Sequence, residues 1–413
     1  MPAIDLAFAR ANFPSLRNDV ILLDNAGGSQ VLERVADRVR DYLLSESVQL
    51  GASYAASRQS GAAVDTGRAS IATLVNAARP EEIVMGATAT QLFDQLARAL
   101  SKNWRPGDEV IVTNFDHEAN IGPWRNLEAQ GIVIREWRMP TGADIPDLSD
   151  LEALLSDKTR LVAFTHVSNI FGSIMPVREI TDTIHAYGAL ACVDGVAFAP
   201  HRAVDVQALG ADFYGFSLYK VYGPHHAALY GRYDALRDHA ANINHYFYGE
   251  DRVPNKLEPG NPNYELAYGC VGIIDYLEEF ALKHGTNATG RPAVEAAFDI
   301  MAAHEADLSE RLLSFLRSRS DLEVIGTASA HRERRVPTIS FIHKGRSSES
   351  LVRKIDQSGI GIRFGDFHSK RLVNAIGTGT PDGVIRVSAV HYNTLSEMDR
   401  LIDALKAALD TTD

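Results

Sequence analysis

Apolar positions along this chain follow two different periods. IVMG (83–86), EVIVTN (109–114), RLVAFTHVS (160–168), ALACVD (189–194), DFYGFS (212–217) and AALYG (227–231) are short, nearly continuous apolar runs, the pattern of strands. Between them the period lengthens. QLFDQLARAL (91–100) sets Leu92, Phe93, Leu96 and Leu100 at helical spacing, DLEALLSD (150–157) reads as a helix, and so does VREITDTIHAYG (177–188), which ends at glycine. Strands alternating with helices predict an α/β fold with a mostly parallel central sheet covered by helices. Near residue 290 the pattern changes. A long amphipathic stretch (292–318) reads as a connecting helix, followed by VPTISFIHK, a helix near 348–357, GIGIRFG, VIRVSAVHY and a last helix from Leu395, opened by a capping box of Thr394 and Glu397. This second part is a smaller α+β unit. The expected division is a large domain over 20–290 and a small one formed by 1–19 with 291–413. HRERR (331–335) precedes a strand and reads as a solvated loop.

Composition narrows the functional classes. The 413 residues carry a formal net charge of −12, which disfavours phosphate backbones and anionic lipid, so neither nucleic acid nor a membrane surface is an expected partner. There are two cysteines, Cys192 and Cys270, too few for a disulfide framework or a cysteine-rich zinc cluster. MPAIDLAFARANFPSL lacks the layout of a signal peptide, and no apolar run is long enough to span a bilayer. The expectation is a soluble, cytoplasmic metabolic protein.

Candidate chemistry lies at the ends of the strands. ACVDGVAFAPH (191–201) ends an apolar strand on Asp194, where open α/β sheets collect ligands, although a carboxylate there is as readily a helix cap. Lys220 sits in GFSLYKVYGPHHAALYG (215–231), a short aromatic and glycine-rich link between two strands; it is either a surface lysine or a partly desolvated one able to form a Schiff base. Together, an aspartate at a strand end and a lysine between strands match what pyridoxal 5′-phosphate (PLP) catalysis requires: an amine to hold the aldehyde and a carboxylate to keep the pyridine nitrogen protonated. MGATATQLFDQL (85–96) offers backbone N–H groups near Ala89 and Thr90 at a helix start, with the Thr88 or Thr90 hydroxyl, as donors to a phosphate; a plain threonine N-cap is the alternative. His117, just after a strand, is placed to cover a ring face and move protons, and Asn169 to reach a phenolate oxygen or a substrate carboxylate. No HExxH pattern occurs, and no metal site is expected.

LDNAGGSQ (23–30), GATAT (86–90), DHEANIGPW (116–124), HVSNIFGSIMPV (166–177), VDGVAFAPH (193–201), GFSLYKVYGP (215–224), EPGNPN (258–263) and IRVSAVHYNT (385–394) occur in family order over nearly the whole chain. With them the chain resembles a class V aminotransferase, PLP fold type I, of the cysteine desulfurase-like branch. The resemblance implies the following roles. Lys220 holds the cofactor, Asp194 faces the pyridine nitrogen and His117 stacks on the ring. Asn169 lies near phenolate and substrate. Ser217, with Tyr219, Thr88, Ala89 and Thr90, serves the phosphate. Arg386 clamps the substrate α-carboxylate by a bidentate fork. The segment around Asn261 reaches the partner subunit's phosphate, so a homodimer with a shared active site is implied.

Four positions depart from the family, one of them Asn261, which stands where the family has Thr near the partner's phosphate. Sulfur-mobilising desulfurases carry a mobile cysteine after a sequence like RTGHHC; here the matching stretch is RFGDFHSKRL (363–372), with His368 where the cysteine stands. Cys192 lies in the strand leading to Asp194 and Cys270 in a helix-like segment, so neither replaces it, and persulfide-forming desulfuration is not expected. Ala197 stands where the family often has Gln, and Tyr219 where it often has His. Tyr222, His225 and His226 are further candidate proton carriers with structural alternatives. The expected activity is therefore a PLP enzyme acting on an amino acid or amino-acid-like substrate, by transamination or C–S lyase chemistry through Cα proton removal. An epimerase similar to the isopenicillin N type, and a PLP-binding protein without turnover, are the alternatives.

Overall fold

The computed structural model describes residues 3–377 and 382–410. Strand β1 (Ile21–Leu22) precedes a seven-stranded sheet built from β2 (Ile83–Gly86), β3 (Glu109–Thr113), β4 (Val133–Trp137), β5 (Thr159–Thr165), β6 (Leu190–Asp194), β7 (Phe213–Ser217) and β8 (Ala227–Gly231). Its order is β2-β8-β7-β6-β5-β3-β4. The pairs β3–β4, β3–β5, β5–β6 and β6–β7 are parallel, whereas β8 is antiparallel to both β7 and β2. Two antiparallel steps restore direction, so β2 runs the same way as the parallel strands and its C-terminal end opens on the same edge.

The six apolar runs form strands within one to three residues of the sequence reading, because each is buried along most of its length and its side chains pack on both faces of the sheet. Strand β4 is the one the pattern hides. As an edge strand it leaves Val133 and Arg135 on its exposed side, and the charged pair Arg135–Glu136 interrupts its apolar run. The helix read at 150–157 is shorter and earlier, Leu148–Glu152, capped by Asp147.

The later part of the chain contains β9 (Leu322–Ile325), β10 (Thr338–His343), β11 (Ile360–Gly361), β12 (Arg363–Gly365) and β13 (Val384–Ser388). Four of them form an antiparallel sheet in the order β12-β13-β10-β9, and β11 pairs in parallel with β1. The helix Arg291–Arg317 leads into this sheet. The final helix, Leu395–Asp410, begins on the capping box: Glu397 N–H donates to Thr394 Oγ1 at 3.0 Å and Thr394 N–H to Glu397 Oε2 at 2.9 Å. Leu308, Leu312, Leu316, Ile339, Phe341, Ile385, Val387, Leu401 and Leu405 form the core between these elements.

HRERR is only partly a solvated loop. Arg335 is 1% exposed, and its guanidinium donates to the carbonyls of Thr327, Phe171 (3.2 Å) and Thr338 (2.7 Å), with Nε on Val336 O at 3.2 Å. A charged side chain fits there because its guanidinium is hydrogen-bonded to four buried backbone carbonyls, one of which, Val336 O, also accepts from Thr338 N–H. Among the described residues, no helix is long and apolar enough to cross a membrane.

Candidate active site

The C-terminal ends of β2, β3, β5, β6 and β7 converge on one cavity of about 160 Å³, lined by Thr88–Thr90, His117, Ala119, Thr165, Val167, Asn169, Asp194, Val196, Ala197, Ser217, Tyr219 and Lys220. Residues spread over 130 positions of sequence meet here because parallel strands all deliver their following loops to the same edge.

Asp194 is the last residue of β6 and is 4% exposed. Its Oδ1 accepts from Val196 N–H at 2.8 Å. Burial raises its pKa to about 6, against the opposing pull of that N–H and of Lys220. The next residue has to be glycine. A Cβ on Gly195 would lie 1.9 Å from the Tyr214 ring, so only a bare backbone lets Tyr214 pack beneath the aspartate. The Tyr214 hydroxyl pairs with His166 Nδ1 at 2.9 Å, and His166 stacks on Phe198 with ring centroids 3.5 Å apart. Burial holds His166 near pKa 3, hence neutral.

Lys220 ends the short helical turn that follows β7. Its remaining surface faces the cavity and protein encloses the rest. Burial, with Arg386 nearby, lowers its pKa to about 8, while Asp194 and Asp24 pull the other way. His117 lies across the cavity. Its Nδ1 accepts from Ala119 N–H at 3.1 Å, which places the proton of the neutral ring on Nε2. Burial, followed by the charges of Lys220, His368 and Arg386, lowers its pKa to about 3.

The helix Ala89–Ser101 starts at the cavity. Thr88 is its N-cap, accepting from Gln91 N–H at 3.1 Å, and the helix's own ladder begins with Leu92 donating to Thr88 O. The Ala89 and Thr90 N–H groups therefore precede that ladder, at the positive end of the helix. Ser217 and Tyr219 flank them. Burial raises the Tyr219 hydroxyl, offset by its hydrogen bond with Ser217. His225 stacks on the Tyr219 ring at 5.0 Å. The N-cap role and a phosphate role are compatible, since capping uses one side-chain oxygen and leaves the first-turn N–H groups free for a ligand.

Three further sequence-predicted residues are held by partners of their own. Asn169 lines the cavity, but both ends of its amide engage the 367–369 segment: Nδ2 donates to Phe367 O at 3.0 Å and Oδ1 accepts from Ser369 Oγ at 2.7 Å. Arg386, on β13, lies behind the cavity wall, 2% exposed, with Nη1 on Asn169 O at 3.3 Å and Nη2 on Asp24 Oδ1 at 3.2 Å. Asn261 lies on an exposed turn at φ 71°, with its amide on Tyr264, outside the cavity of its own subunit. Tyr222 belongs to an aromatic cluster with Phe13, Tyr276, His391 and Tyr392, its hydroxyl on Pro200 O at 2.6 Å. His226 is buried with neither ring nitrogen hydrogen-bonded.

Sequence reasoning missed Asp24, Asp116, Thr165 and Phe367. Asp116 is buried behind His117, accepting from Thr113 Oγ1 at 3.0 Å, and burial beside Asp194 raises it well above the usual carboxylate range. Asp24 and Asp116 both fall inside the quoted motifs, where adjacent residues drew the attention.

The fold and the motif order have direct counterparts. The "Aminotransferase class-V" family profile matches residues 21–401. The chain belongs to the class V aminotransferase family. The aminotransferase-like protein FGM3 of Gibberella zeae is 44% identical over 408 residues, 97% of either chain. The cysteine desulfurase-like protein ustD of Aspergillus flavus is 33% identical over 405 residues, covering 96% of this chain and 88% of that one. Among solved structures, the cysteine desulfurase CsdA of Escherichia coli aligns over 99% of both chains, with a TM-score of 0.83 and 25% identity. This class V chain is thus a cysteine desulfurase-like protein of PLP fold type I, and its family and fold imply PLP as cofactor. The residues present fit that group: an enclosed cavity holds an amine of lowered pKa, a buried carboxylate with unused acceptor capacity and a helix N-terminus.

Proposed function

We propose that this protein is a PLP-dependent enzyme that removes the Cα proton of an amino acid or amino-acid-like substrate, by transamination or C–S lyase chemistry and without a persulfide. The observation that carries this is the meeting of Lys220, Asp194 and the Ala89 helix start in one enclosed cavity. PLP, when bound, supplies the electron sink for that proton removal.

The residues divide the work. Lys220, with a pKa of about 8, has about one amine in ten neutral at pH 7; it would hold the cofactor's aldehyde and would serve as the base for the Cα proton. Asp194 is largely ionised at neutral pH and offers a buried negative charge to a ring nitrogen. His117, neutral, presents Nε2–H toward the cavity. Thr88–Thr90, Ser217 and Tyr219 take the phosphate. Arg386 is given the substrate carboxylate on the family resemblance; it lies behind the cavity wall, and its Nε is buried with no acceptor. Against a persulfide, Cys192 and Cys270 are both buried, and burial raises both thiols so that neither is a ready thiolate.

Addition of PLP to the purified chain is expected to give a yellow absorbance band that Lys220→Ala abolishes; a colourless native protein overturns the proposal. An amino-acid panel read for keto acid, pyruvate, ammonia and sulfide then assigns the reaction. Sulfide release through Cys192 or Cys270 would refute the persulfide-free reading.

A further inference from the structure

The 366–369 segment occupies the place where desulfurases of the resembling type carry their mobile cysteine, yet here it is fastened. Phe367 and His368 are successive residues with positive φ, 52° and 59°. Bulky side chains rarely adopt this region, and they persist there only when the surroundings hold them. The holding contacts are all local to the site. Besides the two Asn169 bonds, Glu118 N–H donates to His368 O at 2.8 Å and His368 N–H to Asp366 Oδ1 at 3.1 Å. Just beyond, Arg371 engages both oxygens of Glu118 at 3.0 Å.

This fastening sets the Phe367 ring flat against Arg386, with the guanidinium carbon 3.7 Å from the ring centroid. In the guanidinium plane, Nη1 meets Asn169 O, Nη2 meets Asp24, and Nε has no partner. A carboxylate engages a guanidinium in its plane, so a ring on the face does not compete with it. The ring instead shields the charge from water and limits how the guanidinium can turn.

We propose that Phe367 is the positioning residue for the substrate carboxylate: its ring sets the plane of Arg386 so that the unpartnered Nε edge is presented, and the Asn169–Ser369 anchor holds the ring in place. This rests on the reading of Arg386 as the carboxylate receptor. It also gives Asn169 a second duty, as the anchor of the strap.

The test uses the PLP-loaded protein with two probes, phenylglyoxal for the guanidinium and L-alanine for carboxylate binding. In the native protein Arg386 is expected to be modified far more slowly than the exposed Arg363, as read by peptide mass spectrometry. Phe367→Ala should speed Arg386 modification and raise the L-alanine half-saturation about tenfold, the scale of one desolvated cation–π contact, with the cofactor band unchanged. Phe367→Tyr should restore both, which a general loss of stability would not allow. Ser369→Ala, which keeps the ring and cuts its anchor, should move both readouts in the same direction. Arg386 modified as fast as Arg363 in the native protein, or unchanged readouts in both Phe367→Ala and Ser369→Ala, overturns the proposal. Absence of a cofactor band in the native protein would instead refute the proposed function, while the modification rates would still decide the role of Phe367.

Discussion

Lys220 shows how one residue's environment sets its chemistry. Enclosure by protein lowers its pKa to about 8, and the nearby Arg386 pushes the same way, while Asp194 and Asp24 oppose. Since only the neutral amine captures an aldehyde, the rate of PLP capture by the ligand-free chain should climb with pH up to about 8 and level off above it. The sign of each neighbour follows. Asp194→Asn removes a stabilising negative charge and should move the midpoint down, whereas Arg386→Ala removes a repelling positive charge and should move it up. Stopped-flow absorbance across pH 6–10 checks all three; a midpoint near the usual lysine value would mean that the amine is solvated.

At the scale of elements, two side chains hold neighbouring elements together. Thr88 both ends the link from β2 and caps the helix Ala89–Ser101. Thr88→Ala should cost about 1 kcal/mol of unfolding free energy in the ligand-free protein, measured by urea denaturation. Arg335 is the larger case, because its guanidinium satisfies carbonyls on both sides of the boundary between the two sheets, Phe171 on one and Thr338 on the other. Arg335→Met keeps the volume and strands those acceptors, so a loss of about 2–4 kcal/mol in the same assay is expected. A loss within ±0.5 kcal/mol would show that the buried cation is dispensable.

For the whole molecule, we propose that the chain works as a homodimer. Asn261 supports this reading: it lies on an exposed turn, outside its own cavity, on the segment that the family resemblance sends to the partner's phosphate. Light scattering should give about twice the mass of one chain. Asn261→Ala should weaken PLP retention several-fold while leaving the mass unchanged, as read by equilibrium dialysis. A monomer that keeps its cofactor as tightly as the dimer would refute the shared site.

The sequence by itself determined the strands, because burial on both faces leaves an apolar run that needs no partner to be recognised. It pointed to Asp194, Lys220, His117 and the Thr88–Thr90 turn, which line one cavity in the structure, because residue type and order at strand ends are written in the chain. It also determined the loss of the desulfurase cysteine at His368. Edge strand β4 stayed hidden, since Arg135 and Glu136 break its apolar run and one face of it lies open to solvent. The same holds for contacts between distant segments. Arg335 reads as one more charge in HRERR until Phe171 is brought against it, and Phe367 reads as an ordinary aromatic until Arg386 lies 3.7 Å from its ring. Only the tertiary structure decided those, because the energy of a buried charge depends on which carbonyls and rings surround it, and the surroundings come from residues more than a hundred positions away for Arg335 and from a neighbouring strand for Phe367.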